Sequence, residues 1–272
     1  MVDQRRTPWA DVFTITNTGH SPSAEHGIWL QQVQTKEFLL GSTVRFTGAK
    51  TGLEGRIPDS AIAVIREVTP DNIAGPGETP RSTDLASVPT VLQWLVSRYG
   101  VHTPAALVHD RFIGMGKDEK QAIGVEDLHD AYTDRYFRFM LEALGVRWLR
   151  RWMMWAAVAM RTRWASGWTR RIMMIIWLVG SVAGIGLAVA GIATGHWWWL
   201  GIASVAPLGF GLLWDRQYGA GLVAAYTAIW VLPPTVLGAV GYVIYRGLEG
   251  FAGLFRKRAT ADETHPPTFD EF

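Results

Sequence analysis

The residues of this chain best suited to proton chemistry are His109, the aspartate beside it, Asp110, and a later aspartate, Asp134. Consecutive helical positions diverge by about 100°. His109 and Asp110 therefore cannot point the same way, which would let one hold a metal while the other acts as a base. Ala105, Ala106, Phe112 and Ile113 give His109 a largely apolar neighbourhood. Asp134 shares helical spacing with Ala131, Phe137 and Leu141, so its carboxylate is expected to be partly buried and in need of a partner. An imidazole would serve, and the carboxylate would fix the ring tautomer and raise its basicity. The same spacing allows a second reading, in which His109 and Asp134 are a buried polar pair fixing two helices and Asp110 faces solvent. Asp84 would then cap the turn before Ser87-Val88-Pro89. His102 and His129-Asp130 lack the tight ligand spacing of a zinc centre, and the chain has no standard phosphate loop or serine-nucleophile motif.

Two helices must position this pair. Thr103-Pro104 predicts a start, with Thr as N-cap and Pro as first helical residue, leading through Ala105–Ile113. A second helix is predicted from about Val125 to Leu144, ending at Gly145 in a left-handed cap. Upstream, Ile28–Gln34, Glu37–Thr47 and Ala61–Val68 are rich in β-branched and aromatic residues and read as a small antiparallel sheet. Residues 1–27 are a polar, turn-rich lead-in, and Thr69–Pro80 is a loop.

The motif Thr83-Asp84-Leu85-Ala86-Ser87-Val88-Pro89, then Ala105-Ala106 with His109-Asp110, then Asp134 with Phe137, resembles a phage and bacterial family catalogued as domain of unknown function 1353. The resemblance runs from about Ser82 to Arg163, implies a phage-linked setting and brings no activity with it. The His-Asp pair is also similar to the active site of bacterial phospholipase A₂ enzymes. That likeness implies His109 as general base and Asp134 as its orienting partner. It implies calcium held by Asp84, Asp110 and the carbonyl of Leu85, oxygen ligands of the kind a hard cation prefers. The ion would polarise an ester carbonyl while His109 activates water. The chain departs from those enzymes at Ile113, where they carry tyrosine, and in having no cysteine, which removes their disulfides.

The C-terminal part is of a different kind. Ile172 to Tyr245 contains two charged side chains, Asp215 and Arg216. Ile172–Ala193 alone is long enough for a ~30 Å hydrocarbon layer. Residues 197–214 and 219–245 are further candidate spans. Pro233-Pro234 is expected to break the last of these, making either a kinked third crossing or a re-entrant hairpin. Gly180, Gly184, Ala188 and Gly191 suggest close helix packing and self-association. Val146–Arg171 carries seven arginines, five tryptophans and no acid. With Trp148, Trp152 and Trp155 on one face, it reads as a helix in the headgroup layer meeting anionic lipid rather than nucleic acid. Its arginines predict a cytoplasmic N-terminal domain on an inner or cytoplasmic membrane.

The sequence thus predicts an α+β soluble domain (28–146), a basic interfacial helix (147–171), an α-helical integral membrane region (172–246) and a polar tail (247–272). The function expected is a noncatalytic membrane interaction module; the alternative is a calcium-dependent, phospholipase-like ester hydrolase.

Overall fold

The computed structural model describes residues 12–17, 27–28, 30–32, 38–72, 82–83 and 100–260. Its N-terminal part holds two three-stranded antiparallel sheets. One has the order β1 (Phe13–Asn17), β4 (Ser42–Phe46), β5 (Glu67–Val68); the other has the order β2 (Leu30–Gln32), β3 (Phe38–Leu40), β6 (Ser82–Thr83). The expected single sheet is therefore two, because the run Glu37–Thr47 divides at Gly41 and sends its halves to different sheets. β1 falls inside the expected lead-in. It pairs along its whole length with β4, placing Phe13 opposite Phe46 with ring centroids 5.1 Å apart.

Ala61–Val68 is not a strand. Asp59–Ile65 forms helix α1, and only Glu67–Val68 is extended. Pro58 presets the entry to this helix, and Ala61, Ile62 and Ile65 form one buried face, a spacing that suits a helix better than alternation. Helix α2 (Thr103–Gly114) forms where expected but starts one residue early, with His102 rather than Thr103 as N-cap and Pro104 second in the helix; the Thr103 hydroxyl accepts from the Gly100 N–H at 3.0 Å. A short helix α3 (Lys117–Ala122) intervenes, so α4 spans Asp130–Ala143 rather than starting at Val125. His129 sets that start, its Nδ1 accepting from the Ala131 N–H at 3.0 Å. Gly145 follows the helix at φ 69°, as the cap predicts.

The basic stretch is not one helix through Arg171. Helix α5 (Trp148–Ala165) ends before Gly167, whose φ of 118° few other residues tolerate, and Trp168 opens α6. Its tryptophan stripe is also divided. Trp148 is exposed, whereas Trp155 is buried and Trp152 half-buried, both against the Arg138 guanidinium at 4.5 and 4.4 Å. α5 is a wall shared by two cores: Met154 belongs to that of the N-terminal domain, and Trp155, Ala156 and Ala159 to a second with Trp177, Trp214 and Ala220.

α6 (Trp168–Thr194) and α7 (Trp198–Gly211) form a hairpin. A Cβ on Gly180 would sit 2.6 Å from the Phe210 ring, and one on Gly191 would sit 3.1 Å from Trp199, so these small residues admit α7 of the same chain. After a 3-10 segment, Leu212–Gln217, helix α8 runs from Tyr218 to Thr260. It continues through Pro233-Pro234, so neither the expected break nor a re-entrant hairpin forms there. Each proline removes one backbone donor, and the bonds that remain on either side carry the helix across. The Thr235 hydroxyl adds a bond to the Val231 carbonyl at 2.6 Å nearby. Among the described residues one helix is long and apolar enough to cross a membrane, Trp168–Thr194, with mean hydropathy 2.4.

Candidate functional site

α2 packs against α4 and buries His109 on one helix and Asp134 on the other among mainly apolar side chains. His109 Nε2 lies 3.1 Å from Asp134 Oδ1, and the imidazole packs on the Phe137 ring at 5.1 Å. His109 is 6% exposed and Asp134 fully buried. On the other side of the ring, Nδ1 lies 3.6 Å from Asp110 Oδ1. The expected pair is present, and Asp110 sits against it rather than pointing away.

Asp134 has two further partners. The Thr162 hydroxyl of α5 donates to Oδ1 at 3.0 Å, and the Gln217 amide, at the end of the 3-10 segment, donates to Oδ2 at 2.5 Å. One buried carboxylate thus joins α2, α4, α5 and the turn before α8, satisfying the oxygens that burial strips of water.

Burial alone would lower the His109 pKa, but hydrogen bonding to Asp110 and Asp134, together with their charges, pushes it up to about 9. Near neutral pH the ring is an imidazolium between two carboxylates, without a lone pair to accept a proton. Because the folded value lies above the ordinary histidine value of ~6.5, folding stability from this group is complete below pH ~6.5 and lost as pH rises through about 9. The full effect is about 3 kcal/mol. Replacing His109 with Gln is expected to flatten the decline in unfolding midpoint between neutral and alkaline pH. An unchanged slope would show that the ring is neutral in the folded chain.

Asp84 and Leu85, two of the three calcium ligands implied by the phospholipase likeness, lie outside the described residues. Among the described residues no group of three or more His, Cys, Asp or Glu side chains could hold a metal ion, and Asp110 is the sole implied ligand with a described position.

Beside the dyad, Asp130 accepts from the Ser166 hydroxyl at 3.0 Å and pairs with Arg170 at 3.3 Å. Buried Arg163 donates from Nη1 to the Trp214 carbonyl at 3.1 Å and from Nη2 to the Leu213 carbonyl at 2.7 Å. It thereby clamps the 3-10 segment onto α5. The segment needs holding, because Asp215 has φ 46° and ψ −123°, a strained conformation for a non-glycine residue.

Sequence reasoning missed Thr162, Arg163 and Gln217. Gln217 left one signal: it is the only side-chain amide between residues 172 and 245, next to the only two charges.

Residues 78–158 match the family described as Protein of unknown function (DUF1353), a segment that contains both His109 and Asp134. The match ends before Thr162, Arg163 and Gln217, the side chains that tie this segment to the apolar helices. No curated protein and no solved structure matches the chain.

Proposed function

We propose that this chain is a membrane-anchored, noncatalytic interaction module whose apolar helices hold the family domain at the cytoplasmic face of a bilayer. The exterior of α6 carries this reading. Only 22% of its apolar window is buried, and Val179, Val189 and Ile192 are each more than half exposed. A helix of that hydropathy in a water-soluble fold would be buried; exposed apolar surface on this scale calls for lipid. Exposed tryptophans at both ends of α6, Trp164 and Trp168 at one and Trp197 and Trp198 at the other, suit the two interfaces of a bilayer. The stretch Tyr218 to Tyr245 of α8 is, at about 40 Å, as long as α6.

The test is extraction of cell membranes at alkaline pH, in which the chain is expected to stay in the pellet. Release with peripheral proteins would defeat the reading. Orientation is read from single-cysteine variants, since the chain has no cysteine of its own. Lys117→Cys is expected to label only after permeabilisation, and Gly250→Cys, beyond the apolar part of α8, from outside intact cells. Both labelling from the same side would refute an odd number of crossings.

The second reading, a calcium-dependent ester hydrolase, draws on one observation, the 3.1 Å contact of His109 Nε2 with Asp134. The imidazolium state weighs against it, since a base with a pKa near 9 would work only in alkaline solution. Ester hydrolysis in nanodiscs that needs calcium, rises toward pH 9 and vanishes in His109→Ala would establish the hydrolase and displace the module.

A further inference from the structure

Three arginines distant in sequence converge on one tyrosine. The Arg56 guanidinium carbon lies 4.2 Å from the centroid of the Tyr132 ring, that of Arg135 lies 5.6 Å away, and that of Arg216 lies 5.8 Å away. They come from the loop before α1, from α4 and from the turn before α8, so folding itself assembles the cluster. We infer that Arg56, Arg135, Arg216 and Tyr132 form a binding site for a phosphate group, carried on a lipid headgroup or free in solution.

The argument is one of unmatched charge. A single aromatic face stabilises one cation well, and Arg56 has that place, close to the ring and donating to the Tyr132 hydroxyl at 2.9 Å. The other two stand near the limit of useful cation–π distance, where the ring offsets little of the repulsion among three guanidinium groups. None of the three ends within 4.0 Å of a carboxylate among the described residues. Nearby Asp130 is already engaged by Arg170 and Ser166. Adjacent His129 senses the imbalance: burial first, then the charges of Arg170 and Arg216, hold it below its ordinary range against the opposing pull of Asp130 and Asp215.

Donors of these types suit a tetrahedral oxyanion. Arginine forks bind phosphate oxygens in pairs. The Tyr132 hydroxyl accepts from Arg56 and keeps its own proton to donate. Arg56 and Arg216 are exposed and Tyr132 is half-buried, so a ligand can reach them. Arg216 directly precedes the last residue before α8, which places the site where the apolar helices begin, at headgroup depth if they span a bilayer. The lipid source rests on the membrane reading above; the phosphate site does not.

The test uses the full chain in phosphatidylcholine nanodiscs, read by thermal unfolding midpoint. One arm adds phosphatidic acid to the discs, and the other titrates inorganic phosphate. A raised midpoint in the first arm assigns a lipid headgroup, and in the second a soluble phosphate. In either case Arg216→Gln and Arg56→Gln are expected to weaken binding roughly tenfold each, as one lost charge-assisted hydrogen bond implies. Arg150→Gln, on the exposed face of α5, should bind as wild type does. Tyr132→Phe keeps the ring, so its unliganded midpoint is expected to hold while binding weakens. No shift in either arm, or a shift of equal size in Arg56→Gln and Arg216→Gln, overturns the site. If the chain does not stay in nanodiscs, the membrane reading fails, and phosphate titration of the detergent-solubilised chain still decides the site by the same variants.

Discussion

Asp134→Ala is expected to lower the stability of the chain by about 3 to 5 kcal/mol, the range for removing one partner of a buried ion pair. The residue is fully buried, and its two oxygens receive His109, Thr162 and Gln217. Without the carboxylate, a buried imidazolium is left with Asp110 alone at 3.6 Å, and the Gln217 amide has no acceptor. The loss should be read as a fall in denaturation midpoint of the full chain in nanodiscs. Pairing the substitution with His109→Leu should recover part of it, because the uncompensated charge is then gone. A loss below about 1 kcal/mol would place Asp134 among ordinary polar contacts and remove the basis for an architectural dyad.

Trp214→Ala is expected to cost a similar amount, about 3 to 5 kcal/mol, but by opening a cavity. Trp214 is fully buried, meets Trp177 edge to face at 5.0 Å and lies under the Arg163 guanidinium at 5.4 Å. Gly221 exists to admit it, since a Cβ there would come within 2.6 Å of the indole. The predicted damage reaches beyond the helices. Arg163 clamps the carbonyls of Leu213 and Trp214, so a loosened segment also loosens Gln217 and with it Asp134. Hydrogen exchange at α4 amides should therefore rise in Trp214→Ala as well as in Asp134→Ala. Unchanged protection at α4 would show that the two cores are energetically independent despite sharing α5.

What the sequence made legible is what helical periodicity encodes. α2 and α4 bring His109 and Asp134 together because each lies on the apolar face of its own helix, and a buried carboxylate has few partners to choose from. The apolar α6 was legible from length alone. The errors arose where tertiary pairing overrides local pattern. β1 looks like lead-in until β4 is beside it, and α1 was hidden because β-branched residues do not distinguish a short buried helix from a strand. Trp148, Trp152 and Trp155 do share a face, but which of them meets solvent depends on where α8 lands. Pro233-Pro234 was read as a break, but each proline removes only one backbone donor, and the helix continues across both. Gln217 reaches Asp134 across 83 residues, a distance at which no periodicity operates.

That last separation also sets a timetable for biosynthesis. When Asp134 leaves the ribosome its final hydrogen-bond donor has not been made, and at ordinary translation speeds the wait is on the order of ten seconds. Throughout that interval the segment around Asp134 must hold a carboxylate with one oxygen unclaimed, and it can close only once the hairpin of α6 and α7 has turned back. A nascent chain stalled before Gln217 would thus present an unfinished domain to chaperones and proteases, so that quality control of the N-terminal part becomes a check on whether the apolar helices have been assembled.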